Sequence, residues 1–288
     1  MQKKQIRIGW FYLLPLLTVN GVVVFLPAVS NVFLSFTSWS GLGQPKWIGI
    51  DNYIRLLQDD VVHQAILRNL VWTLIFLIVP MGLALFGAYL VLRAPAAGTF
   101  FRLVFFTPYI VSTVVSASVW SFLYSPTLGL SPLLFGAGAD TPNLLGNGDT
   151  ALYAVALANI WQWWGFLMMV FFAAMQSVNP SLYEAAELDG AGAFRKLISV
   201  TLPAIRPTIM FLALMTVIWS FLIFDYIFIM TGGGPAGKTE VLGTLLYKSA
   251  FWSREAGYAA SIGVLMGLIS LLVVGIYLSL RKRLKWEI

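Results

Sequence analysis

The 288-residue chain contains no cysteine and one histidine, His63. A thiol nucleophile and a cysteine- or histidine-rich metal centre are therefore excluded. The missing cysteines say nothing about compartment. Charge is scarce as well: Asp, Glu, Lys and Arg make up 10% of the residues, against roughly 25% in a soluble globular domain. So few charges cannot cover a water-facing surface, and disordered segments need far fewer apolar groups than this chain has. What abounds is hydrocarbon. Hydrophobic residues reach 59% and the mean hydropathy is +0.83. The solvent of this chain is a lipid bilayer.

Long uncharged runs mark six expected spans: Ile8–Phe36, Leu70–Leu92, Leu103–Leu123, Ala151–Met175, Thr208–Met230 and Ala256–Leu280. Each meets the roughly 20 residues a helix needs to cross about 30 Å of hydrocarbon. Short alternating segments of the β-barrel kind are not visible. The first run exceeds the 7–15 residues of a signal-peptide core, so it reads as a retained span. The expected fold is all-α and polytopic, one transmembrane domain over 1–288, because the loops at about 37–69, 124–150 and 231–255 are too small for catalytic domains.

Basic residues set the orientation. With the N-terminus inside, Lys3, Lys4, Arg7, Arg93, Arg102, Arg195, Lys196, Arg206, Arg281, Lys282, Arg283 and Lys285 fall inside; Lys46, Arg55, Arg68, Lys238, Lys248 and Arg254 fall outside, twelve against six. Both termini are thus expected in the cytoplasm. The net charge of +6 reflects this bias and a headgroup anchor at Arg281–Lys285, not a nucleic-acid patch. Trp10, Trp39, Trp47, Trp252 and Trp286 near the span ends form an aromatic belt.

The inside loop Asn179–Pro207 has structure of its own. Asn179 can cap a helix with Pro180 at its first position, and Ser181 with Glu184 has capping-box spacing. Gly190 and Gly192 end that helix. A second helical stretch covers Phe194–Val200, and Leu202-Pro203 is expected to break it. Glu184, Glu187 and Asp189 make the first helix acidic, which disfavours lying on an anionic leaflet and favours docking into a cytoplasmic partner.

Glu184-Ala185-Ala186, Asp189-Gly190-Ala191 and Leu202-Pro203, at these spacings, resemble the EAA signature of bacterial ABC importer permeases. Thr231-Gly-Gly-Gly-Pro235 resembles the carbohydrate-importer branch, the maltose type. The resemblance covers essentially the whole chain. It implies the type I ABC importer permease fold with cytoplasmic coupling helices between spans four and five, in a bacterial or archaeal inner membrane. It implies a subunit that is not an enzyme and binds no cofactor itself. ATP and Mg²⁺ belong to two partner ATPase subunits, a second and different permease completes the path, and an extracytoplasmic solute-binding protein delivers a sugar or related polyol.

The resemblance also implies residue roles. Glu184, Ala185, Ala186, Asp189 and Gly190 would couple to the ATPase, Gly190 supplying the turn. Anchored on Pro108, Glu184 and Pro203, the cargo path falls on Tyr109 and Thr113, on Asn159, Trp163 and Phe166, and on Thr216, Ser220 and Ile223. Two positions depart from the maltose type. Ile223 cannot hydrogen-bond, and Trp163 replaces a glycine, so the cavity should be smaller or differently shaped and maltose itself is not supported.

Four signals stand outside the resemblance. Gly232 to Thr239 matches the P-loop pattern, but without a preceding strand it reads as a glycine-rich turn. Asp225 is the one acid within an expected span and is added to the cargo path, because charges at such depth are functional by default. Pro80 is expected to kink the second span, and His63 to lie on a surface. An ion-gradient transporter working through Asp225 is the alternative, and a membrane-embedded enzyme lacks any suitable cluster.

Overall fold

The computed structural model describes residues 12–94, 97–135 and 142–283. Lys3, Lys4, Arg7, Trp10, Lys285 and Trp286 lie outside the described residues. The chain forms two compact units, one running to His63 and including Leu245–Leu268, the other Gln64–Thr244 with the residues from Ile269 onward.

The first unit begins with α1 (Tyr12–Leu34), none of whose residues is buried within the chain. Only lipid or another subunit can cover it. A two-stranded antiparallel hairpin follows, β1 (Thr37–Ser38) with β2 (Lys46–Trp47). Then comes α2 (Asp51–Gln58). Asn52 ties the two together, donating to the carbonyls of Ser35 and Thr37 at 2.9 Å each. Arg55 grips Glu255 in a bidentate pair at 2.8 and 2.9 Å and stacks 4.0 Å over the Tyr258 ring. This pair holds the Arg55 guanidinium's pKa above its ordinary value, against desolvation.

The long helix α3 (Asp60–Arg93) starts ten residues before the expected second span. Local chemistry explains the extension: Asp59 Oδ1 accepts from Val61 N at 2.9 Å, and Asp60 adds an acid to the first turn. Pro80 lies inside this helix without ending it. His63, on its first turns, is exposed as expected.

The second unit departs most from expectation at the third span. The run Leu103–Leu123 is not one rod. It is α4 (Gly98–Ile110) and α5 (Thr113–Leu123), joined by extended residues Val111 and Ser112 and bent by 93°. Pro108 lacks one backbone donor in the last turn of α4, and the chain leaves the helix three residues later. After α6 (Leu130–Phe135), α7 (Ala151–Gln176) matches the expected fourth span to within a residue and forms the core. Leu167, Met168 and Phe171 are fully buried along it. Gly165 allows α4 to approach: a Cβ there would lie 1.8 Å from the Phe105 carbonyl oxygen. Small residues permit such close crossings in membranes.

The inside loop holds α8 (Pro180–Leu188), α9 (Ala193–Lys196), a π-helical turn Leu197–Thr201, and α10 (Leu202–Ala204). Leu202-Pro203 does not break the second helix as expected. The π turn shifts the hydrogen-bond register, Leu202 N donating to Leu197 O, and Pro203 sits where its missing donor is harmless. The helix bends instead at Ile205.

The fifth span is α11 (Arg206–Phe221) and α12 (Asp225–Met230), separated by Leu222–Phe224. It is thus broken too, where a continuous run to Met230 is expected. The P-loop-like segment is a closed turn. Thr239 is buried, and its hydroxyl bonds Gly234 O and Thr231 Oγ1 at 2.7 Å each. The element immediately before it is the helix α12. After α13 (Leu242–Tyr247), the chain ends its described part in α14 (Ala256–Arg283), the sixth span.

Candidate functional site

Residues flanking the first helix break and those of the second line one cavity of about 530 Å³ in the second unit. A break in lipid leaves backbone groups that must find partners within the protein. Each break here is served by one carboxamide. Gln162 on α7 is buried and donates to Val111 O at 2.6 Å, capturing the carbonyl freed at the first bend. Asn69 on α3 is buried and donates to Ser220 O at 2.8 Å, beside the second break. Its oxygen accepts from Leu242 N at 2.9 Å.

Tyr226 joins the two breaks. It stands one residue into α12, fully buried, with its hydroxyl 2.8 Å from Gln162 Oε1 and 2.8 Å from Ser116 Oγ on α5. A phenol donates one proton, so one of these contacts is a donation and the serine hydroxyl can supply the other. The α4–α5 bend and the α11–α12 gap are therefore held by one buried network.

The cavity wall combines rings with small polar groups. Eight of the nine path residues expected from the sequence line it: Tyr109, Thr113, Asn159, Trp163, Thr216, Ser220, Ile223 and Asp225. Phe166 is not on the wall. It lies one turn further along α7 and stacks on Tyr109, with ring centroids 4.8 Å apart and planes at 21°. Trp163 and Trp219 meet edge to face at 4.6 Å and 88°. Thr216 is buried, and its hydroxyl has no hydrogen-bond partner among the described residues.

Seven wall residues escape the sequence reading: Trp72, Phe76, Gln162, Trp219, Leu222, Phe224 and Tyr226. Gln162 had a usable signal, as an amide in the middle of an apolar span. Trp219 lies one turn from Thr216 on the same helix face. Trp72 and Phe76 stack on each other at 5.0 Å but come from the second span, where nothing local distinguishes them from packing residues.

The inside loop forms the second candidate site. Asn179 caps α8, its Oδ1 accepting from Ser181 N at 3.0 Å, so the cap is Asn179 and not the Ser181–Glu184 box. Gly190 sits at φ +70°, and Ala191 N donates to Ala186 O at 2.8 Å, closing the helix in a left-handed turn. The loop is internally braced. Tyr183 and Thr201 share a hydrogen bond at 3.0 Å, and Lys196 donates to Glu187. That bond from Lys196 holds the Glu187 carboxyl below its ordinary pKa. Tyr89 OH donates to Ala193 O at 3.3 Å, anchoring α9 on α3.

Glu184, Ala185, Asp189 and Gly190 are exposed and Ala186 is half-buried. Around them stand large apolar side chains open to solvent, with Leu188 91%, Phe194 73% and Leu182 48% exposed. A braced loop that leaves such groups uncovered carries a docking surface.

Comparison with known proteins follows the same lines. The family model described as "Binding-protein-dependent transport system inner membrane component" matches residues 94–286. The probable ABC transporter permease protein YurN of Bacillus subtilis is 36% identical over 270 residues, 92% of each chain. The diacetylchitobiose uptake system permease protein NgcF of Streptomyces coelicolor is 33% identical over 271 residues, covering 88% of this chain and 76% of that one. A crystal structure of a bacterial ABC transporter involved in import of the acidic polysaccharide alginate contains a chain of the same fold. Its TM-score is 0.85 at 24% identity, covering 97% of this chain and 96% of that one.

Proposed function

The chain belongs to the family of binding-protein-dependent transport inner membrane components, and from that premise we propose that it carries a saccharide through the cavity between its two helix breaks. It is a permease subunit of an ABC importer, not an enzyme, and family membership decides against the ion-gradient alternative. We assign the cargo path to Tyr109, Thr113, Asn159, Trp163, Thr216, Ser220 and Asp225, with Phe166 supporting Tyr109. Rings stack on the C–H faces of a sugar, and amide and hydroxyl groups exchange hydrogen bonds with its rim. The Thr216 hydroxyl costs about 1–3 kcal/mol while unpaired in a buried site, and a cargo hydroxyl relieves that cost.

One observation carries the coupling: the braced loop with the exposed Leu188 and Phe194 joins α7 directly to α11, the two helices that present Asn159, Trp163, Thr216 and Ser220 to the cavity. We assign Glu184, Ala185, Ala186, Asp189 and Gly190 to the cleft of a cytoplasmic ATPase subunit. A rigid loop seated there converts nucleotide-driven closure into movement of both cavity helices. ATP binding then favours the outward-open state, and hydrolysis returns the inward-facing one. Two ATPase subunits bind the ATP and Mg²⁺. A second, different permease completes the path and an extracytoplasmic binding protein supplies the cargo. The excess of basic residues supports a reading in which both termini and the loop lie in the cytoplasm, and we assign the whole chain to one permease domain.

The test is ATP-driven uptake by the complete importer in proteoliposomes. Glu184→Lys should abolish uptake with membrane insertion intact. Uptake that persists in this variant, or that follows an ion gradient without ATP, overturns the assignment.

A further inference from the structure

Among the described residues, this chain's wall of the cavity carries a single acidic or basic side chain. Asp225 opens α12 at the second break, is exposed toward the cavity, and takes part in none of the salt bridges among the described residues. No lysine, arginine or histidine lines the cavity. The nearest basic residue along α3, Arg68, precedes Trp72 by one turn and interacts with Glu240. The rest of the wall consists of neutral hydroxyls, two amides, the aliphatic Leu222 and Ile223, and ring faces. Aromatic faces are electronegative and attract cations and C–H groups while repelling anions.

We infer that this cavity rejects anionic cargo, and that Asp225 is the residue that sets this selectivity. The cargo class is uncharged saccharides and amino sugars, and the excluded class is uronates and sugar or polyol phosphate esters. This rests on the cavity being the cargo path. The alginate importer shares the fold and handles an acidic polysaccharide, so the fold does not fix the sign of the cargo and the wall residues must. Protonated amino groups gain from Asp225 what carboxylates and phosphates lose. For a charge roughly 6 Å away, at an effective dielectric of about 40, that is about tenfold in each direction. Neutral hydroxyls still use Asp225 as a hydrogen-bond acceptor.

The absence of cysteine makes the potential directly measurable. Thr113→Cys places one thiol on the same cavity wall, in the complete importer in native-like membranes. Its rates of modification by a cationic, an anionic and a neutral methanethiosulfonate reagent are each normalised to a free thiol in solution. The cationic reagent should react at least tenfold faster than the anionic one. Asp225→Asn should bring the two together, Asp225→Glu should restore the difference, and an unchanged neutral rate in both variants shows that the wall still folds. Equal rates in the parent, a preference that survives Asp225→Asn, or a thiol that no reagent reaches overturns the inference. A separate readout guards the reading beneath it: a bulky neutral adduct on Thr113→Cys should block uptake. If uptake continues while the charge preference holds, the cavity is not the cargo path, although its potential is as described.

Discussion

Replacing Gln162 with leucine removes the side chain that serves the first helix break. The change keeps volume nearly constant and adds no strain, so its cost is almost wholly polar. Val111 O loses its only side-chain donor, at 2.6 Å, in a site that water cannot reach from the lipid side. A part-buried carbonyl left without its partner inside the membrane costs about 1–3 kcal/mol. Tyr226 loses one of two partners but keeps Ser116 at 2.8 Å, so its share is about 1 kcal/mol. The total is about 2–4 kcal/mol, or an apparent melting temperature lower by roughly 5–10 °C for a chain of this size. The assay is thermal unfolding of the purified chain in detergent, paired with uptake by the complete importer. Gln162→Glu separates the two contributions. Its carboxylate still accepts from Tyr226 but cannot donate to Val111, so it should be at least as damaging as leucine. If Gln162→Leu melts with the parent and transports normally, the 93° bend does not depend on this amide, and the view of the breaks as carboxamide-served fails.

Other perturbations bear on separate parts of the account. Gly165→Ala puts a methyl group 1.8 Å from Phe105 O. It should cost about 1–3 kcal/mol or more as α4 and α7 are pushed apart, while Gly82→Ala, with open space around it, should be neutral or stabilising. The comparison is read as folded yield and melting temperature. Thr216→Val deletes an unpartnered buried hydroxyl, so stability should hold or rise slightly while saccharide uptake falls; a marked loss of stability would show that the hydroxyl has a structural partner. For Glu187, the folded pKa is lowered by Lys196 from the ordinary 4.5. Its stabilising contribution is therefore fully present above that value and lost as pH falls through the lowered one. Protease resistance of the inside loop in the parent and in Glu187→Gln should differ at neutral pH and converge in acid, and a gap that persists in acid would refute the pairing.

The spans were legible because lipid demands long apolar runs, and the inside loop because its signals are local: Asn179-Pro180 at one end and Gly190 at the other. The breaks were not. Neither Val111-Ser112 nor Leu222–Phe224 contains proline or glycine, and both segments are apolar enough to pass as helix interior. The one local signal is Pro108, in the last turn of α4; the carbonyls that the breaks free are served by distant amides, Gln162 for one and Asn69 for the other, and hydropathy does not register a partner fifty or more residues away. The cavity was recovered on the third, fourth and fifth spans, where the family resemblance supplied an anchor. Trp72 and Phe76 reach the wall only through the packing of α3 against those spans. Phe166 shows the converse: its helical position is right to within a turn, and the rotation about α7 directs it at Tyr109 and not at the open space.

The central claim is that Glu184 to Gly190 and their apolar neighbours dock this permease on an ATPase. The most direct measurement is gentle extraction of the tagged, full-length chain from native membranes, with identification of the co-purifying subunits by mass spectrometry, beside the Glu184→Lys variant. The account predicts an ATPase subunit and a second permease with the parent chain, and loss of the ATPase alone with the variant. Recovery of the parent without any ATPase, or an ATPase retained in full by Glu184→Lys, would contradict it.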